Sequence, residues 1–157
     1  MGAVCLDGGY RSRFICESIA MFSPCDDCYT LAPWRGQVKM NVSDQTRTVL
    51  DMLNDPALGG GIRPTVDVFK SYLKSEQKDT ALLISYADRL GNGAIFKRLG
   101  FLAERFAKDE KNLIEACRSR LSAGNAKLDT SLPADRLITT WKLWVPEAWA
   151  REKTGED

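Results

Sequence analysis

Asp88-Arg-Leu-Gly-Asn-Gly-Ala-Ile-Phe-Lys-Arg-Leu-Gly-Phe-Leu-Ala-Glu-Arg-Phe106 is the stretch whose reading decides the fold. Leu90-Gly-Asn-Gly93 stops one helix, because glycine and asparagine accept the left-handed turn that ends it. A second helix follows, with Ile95, Leu99, Leu102 and Phe106 at intervals of 4, 3 and 4. Those intervals put the four on one face. Lys97, Arg98, Glu104 and Arg105 fall on the other. The stretch therefore reads as an amphipathic helix with a basic back. Gly93 starts it, and Gly100 permits close packing.

Working outward towards the N-terminus, Asp79 caps a helix carrying Leu82, Leu83, Tyr86, Ala87 and Leu90. Pro64 suits the first turn of another, with Val68, Phe69, Tyr72 and Leu73 apolar. Leu58 to Ile62 reads as a flexible glycine loop. Ser43 or Asp44 caps a helix with Val49, Leu50 and Leu53 inward, and Asn54-Asp-Pro56 ends it. Before that, Tyr29–Leu31 and Gln37–Val42 read as strands around Pro33-Trp-Arg-Gly36, and Arg13–Ala20 as another strand. In the other direction, Asp109 starts a helix with Leu113, Ile114, Cys117 and Leu121 inward, closed by Gly124-Asn125. Lys127–Asp135 reads as a loop. Leu137–Val145 alternates and predicts a strand that returns to the N-terminal ones. Glu147–Asp157, polar apart from Trp149, reads as a tail.

The order is strands, about five helices, then a strand, which predicts a segregated α+β fold. The short N-terminal strands and the C-terminal strand are expected to form a mixed or antiparallel sheet against those helices. A chain of 157 residues suits a single domain over 1–157, with its core at 12–146. The net charge of +1 gives no global drive towards nucleic acid or membrane. No apolar run approaches a membrane span. No basic segment followed by an apolar core marks a signal peptide, and Leu6 weakens the myristoylation signal of Met1-Gly2. Five cysteines, an odd count, favour a reducing cytoplasm.

The chain has no histidine, which removes the commonest general base and the usual mixed zinc sites. Cys25-Asp-Asp-Cys28 offers half of a metal or redox site. Its spacing from Cys5 and Cys16 does not match paired knuckles, and the two aspartates oppose thiolate formation. A turn with incidental cysteines is the simpler reading. Gly59-Gly60-Gly61 lacks the rest of a phosphate-loop motif. Asp51, Asp55, Asp88, Glu104 and Asp129 make no recognisable catalytic pair. No catalytic, cofactor or metal residues are assigned, and the chain is expected not to be an enzyme. From Asn92 to Lys127, eight basic residues face four acidic ones, a local net charge of +4. Lys97, Arg98, Arg105, Lys108 and Arg118 thus form a candidate partner or nucleic-acid surface, against the alternative of a solvated helix face. Phe101 joins them as an exposed aromatic anchor, unless the final strand covers it.

Several stretches together resemble one family. Val42-Ser-Asp-Gln-Thr-Arg-Thr-Val-Leu-Asp-Met-Leu53 and Asn54-Asp-Pro-Ala-Leu-Gly-Gly-Gly61 resemble the start of the C-terminal domain of AbiEi-type antitoxins. Asn92-Gly-Ala-Ile-Phe-Lys-Arg-Leu-Gly-Phe-Leu-Ala-Glu104 is similar to a helix of that family. Leu128-Asp-Thr-Ser-Leu-Pro133 followed by Trp141-Lys-Leu143 resembles its closing loop and strand. The resemblance covers residues 29–146. It implies an antitoxin and transcriptional autoregulator of a type IV toxin–antitoxin, phage-defence system. The implied partner is a nucleotidyltransferase toxin, opposed without a stable complex, with DNA or RNA as a further partner. The family's N-terminal winged helix-turn-helix is not expected within these 157 residues, which puts promoter binding through a winged helix in doubt. A stand-alone nucleic-acid-binding regulator using the 92–127 helices is the alternative.

Overall fold

A computed structural model describes residues 41–151 without a break, together with the short strand segments at 3–4, 13–14 and 29–31. Cys5, Cys16, Cys25 and Cys28 lie outside the described residues. So does most of the expected strand at Arg13–Ala20. The segments that are described there form β1 (Ala3–Val4) antiparallel to β2 (Arg13–Phe14), and β3 (Tyr29–Leu31) antiparallel to β4 (Asn41–Ser43).

Helices follow in the expected order. Asp44 caps α1 (Gln45–Asn54): its carboxylate accepts from the Arg47 backbone N–H at 2.7 Å. The Tyr86 hydroxyl donates to the same carboxylate at 3.2 Å, which ties α1 to a later helix. Pro56–Gly59 forms a single 3-10 turn rather than a loose loop, capped by the Asp55 side chain. Gly61, at φ 106°, then leads into α2 (Ile62–Lys74). Only glycine takes that backbone conformation readily. Asp79 caps α3 (Thr80–Leu90) through the Leu82 N–H at 2.9 Å, and Gly91 ends it in the left-handed region. Asn92 caps α4 (Gly93–Phe106). The next helix, α5 (Lys111–Ser119), is shorter than Asp109 to Gly124.

The C-terminal part departs from the expected single strand. Ala126–Lys127 forms β5, Arg136–Ile138 β6 and Leu143–Val145 β7, and Glu147–Arg151 closes as α6. The sheet order is β5-β7-β6, with β5 parallel and β6 antiparallel to β7. Leu137 to Val145 is therefore a hairpin turning at Thr139–Lys142. Among the described residues its strands pair with each other and with β5, not with the N-terminal strands. The expected tail begins as a docked helix: Trp149 and Ala150 of α6 pack against the core.

The α+β class holds, with six helices and a small mixed sheet among the described residues. Its centre is α4, which touches α1, α5 and β5. Every residue from Ile95 to Ala103 is buried. A helix covered on all sides is a core helix, whatever its charges. Gly100 is what lets the sheet approach: a Cβ there would lie 2.0 Å from Trp141 Cζ3. Trp141 itself is fully buried, and its indole N–H donates to Glu104 at 2.6 Å.

Candidate functional site

The basic back of α4 is not a surface. Lys97, Arg98 and Phe101 are only 3, 5 and 6% exposed. This corrects their assignment to a partner or nucleic-acid face. The physical reason is the sheet and the α5–β5 connection, which cover the side of α4 that a helical projection leaves open.

Arg98 is the hub of what lies beneath. Its Nε donates to the Lys127 carbonyl at 2.9 Å. Its Nη1 donates to the carbonyls of Leu53 and Asn54 at 2.8 and 2.9 Å. One guanidinium thus closes the C-terminal end of α1, whose last carbonyls have no partner within the helix, and fixes it to β5. Burial lowers the Arg98 pKa, while Asp55 and Asp129 act against that. Asp129, itself buried, accepts from the Ile62 N–H at 2.9 Å with one oxygen. The other oxygen accepts from the Ser131 N–H and hydroxyl at 2.9 and 2.6 Å. Burial would raise its pKa, but the bonds from Ser131 and Ile62 and the charge of Arg98 prevail and lower it. Arg98 and Asp129 therefore organise backbone ends, as a carboxylate and guanidinium held by neutral dipoles do.

The remaining members of the expected set scatter. Arg105 is half-buried, with its guanidinium 5.1 Å from the Phe101 ring and 5.8 Å from the Trp149 ring, and it donates to the Trp149 carbonyl. It fastens α6 to α4. Arg118 is exposed, pairs with Glu104 at 3.4 Å and lies 5.5 Å from the Trp141 ring. Lys108 is exposed. Lys97 donates to Ser122 Oγ at 2.8 Å and to the Gly124 carbonyl. Burial lowers its pKa, and the neighbouring Lys142 lowers it further.

Sequence reading missed the roles of Ser122, Lys142 and Trp141. One signal was available: the unbroken run Leu99 to Ala103 is apolar all round the helix, which points to burial on every side. Cys117 is fully buried and its thiol is pushed up to about 12, chiefly by burial and against the pull of Arg120, so it is no nucleophile near neutral pH. A depression of about 220 Å³ lies between α2 and the α4–α5 connection, floored by Leu73 and Phe106 and edged by Lys70 and Lys74. That is smaller than an ordinary small-molecule pocket. Among the described residues, no cluster of ligating side chains could hold a metal ion, and no helix is long and apolar enough to cross a membrane.

No family model, curated protein or solved structure matches the chain.

Proposed function

We propose that the chain is the antitoxin domain of a type IV toxin–antitoxin system, acting in the cytoplasm against a nucleotidyltransferase toxin without catalysis of its own. The reading rests on the ordered set of stretches resembling AbiEi-type antitoxins. One observation supports it further. The stretches carrying the resemblance meet at one buried node rather than lying apart. Arg98, from the α4 stretch, holds the carbonyls of Leu53 and Asn54 in the first two and of Lys127 beside the last. Gly100 of the α4 stretch receives Trp141 of the closing one. Residues far apart in sequence that resemble a family in order, and that also build one another's environment, behave as a single fold signature.

The proposal includes a part in autoregulation. Any contact with DNA or RNA from this region then falls to exposed cations such as Lys108 and Arg118, because Lys97 and Arg98 are turned inward. The test is co-expression with a nucleotidyltransferase toxin encoded in the neighbouring reading frame. Growth is restored by the intact chain, and no stable complex survives co-purification. A folded chain that leaves growth arrested overturns the reading.

A further inference from the structure

We propose that Lys142, Ser122 and Lys97 form a binding site for a phosphate-type oxyanion, where the first turn of α4 meets the α5–β5 connection. The inference is independent of the antitoxin reading.

Lys97 is 3% exposed as a residue, and its ammonium, which is part-buried, donates to neutral acceptors, Ser122 Oγ and the Gly124 carbonyl, with no carboxylate paired to it among the described residues. A part-buried ammonium with no carboxylate beside it keeps an uncompensated positive charge that an anion from solvent can meet. The charge nearest in effect is instead another cation: Lys142 depresses the Lys97 pKa. Lys142 converges on the same residue, donating to the Ser122 carbonyl at 3.2 Å. The other nearby cations are already neutralised, Arg120 by Asp88 at 2.9 Å and Arg118 by Glu104. Among the described residues, neither Lys97 nor Lys142 has a carboxylate partner of this kind.

Two further features fall on this spot. Gly93, the first residue of α4, lies against Ser122, so closely that a Cβ would stand 2.6 Å from Ser122 Oγ. The positive end of the α4 dipole adds to the two ammonium charges. Lys142 also holds φ 50°, the one non-glycine residue with positive φ among those described. It ends the β6–β7 turn where glycine or asparagine is the ordinary choice. The backbone there bears strain while presenting a lysine.

Ser122 and Gly124 are exposed and Lys142 is half-buried. An anion arriving from solvent meets the Lys142 ammonium and the Ser122 hydroxyl, with Lys97 acting from beneath. A tetrahedral, doubly charged oxyanion fits two cations and a hydroxyl donor better than a single carboxylate does. The phosphate is either free or part of a nucleic-acid backbone.

The test uses the full chain. Thermal unfolding is followed in sodium phosphate and in sodium chloride of equal ionic strength, and a labelled oligodeoxynucleotide is titrated in parallel by anisotropy. Lys142→Asn removes the charge but keeps a residue that tolerates the left-handed backbone, and Lys142→Arg retains the charge. The expected result is a midpoint raised by phosphate, lost in Lys142→Asn and kept in Lys142→Arg, with both variants folded in chloride. Response to the oligonucleotide alone, lost in Lys142→Asn, also supports the site and makes its source a backbone phosphate. Equal midpoints in the two salts with no oligonucleotide binding overturn the proposal. So does an undiminished response in Lys142→Asn, which marks an adventitious ion only.

Discussion

Arg98 shows how a charge can serve the fold from inside. It donates to three carbonyls and has no carboxylate in direct contact among the described residues. Arg98→Met keeps much of the volume and removes every donor. The Leu53 carbonyl, the one buried acceptor of the three, costs about 1–3 kcal/mol when left without a partner and the two part-buried ones cost less, so urea denaturation should show a loss of about 2–3 kcal/mol. Arg98→Lys should recover only part of this, because an ammonium lacks the planar fork that reaches α1 and β5 together. Asp129 gives a pH signature. Its folded pKa lies below the ordinary carboxylate value, so it binds its proton less readily when folded. Its contribution is present above the unfolded pKa of about 4 and is lost as pH falls through the lower folded value. Asp51 works the other way, since burial raises its pKa despite Arg47. Asp129→Asn should therefore flatten the acid limb of a stability–pH profile, whereas Asp51→Asn should not. These roles were hard to read from sequence. A helical projection sets Lys97 opposite Ile95 and Leu99, and Arg98, three residues after Ile95, at the border of the apolar stripe; those directions mean solvent only if nothing packs there. In this chain the α5–β5 connection covers Lys97, and the end of α1 together with β5 covers Arg98.

At the scale of elements, the starts of α1 and α3 were legible, while the bounds of α5, expected from Asp109 to Gly124, and the C-terminal hairpin turn were not. Asp79 and the Gly91-Asn-Gly93 break stand where the sequence puts them, and Asp44 is the one of the two candidates, Ser43 or Asp44, that caps α1, because a cap is decided by a side chain reaching two or three residues along its own chain. The β6–β7 hairpin was misread as one strand because its period of two runs through the turn. Trp141, Leu143 and Val145 are all buried, although Trp141 belongs to the turn and not to a strand. Asp44 carries more than an ordinary cap, since it also accepts from Tyr86 of α3. Asp44→Ala should cost about 1–2 kcal/mol, at the upper end of the range for caps. Asp79, whose carboxylate caps through Leu82 at an exposed position, should cost about 1 kcal/mol. Paired thermal melts of the two variants give the order directly. Equal losses would mean that the Tyr86 bond adds nothing.

At the scale of the molecule, the question is whether helices and C-terminal sheet unfold together. One hydrophobic cluster runs from Val49 in α1 through α4 to Leu143 and Val145 in β7. Its narrowest join is Gly100 against Trp141, where the helix gives up a side chain so that the indole can enter. Because Arg98 bridges α1 to β5 across the same join, neither layer keeps its contacts when the other leaves. Composition and helical pattern were enough for the α+β class, but this coupling depends on two contacts between residues about 30 to 45 positions apart, which no local periodicity encodes. Gly100→Ala tests it. Alanine favours a helix by about 1 kcal/mol over glycine, yet its methyl would overlap the indole, and overpacking of this kind costs about 1–3 kcal/mol or more. The variant should be destabilised in spite of its better helix propensity. In the unaltered chain, helix loss followed by far-ultraviolet circular dichroism and exposure of the buried tryptophan followed by fluorescence should coincide in urea. In Gly100→Ala both transitions should move down together. Fluorescence moving alone would mean that the sheet is an appendage to a helical core, and that Arg98 and Trp141 join two units that fold separately.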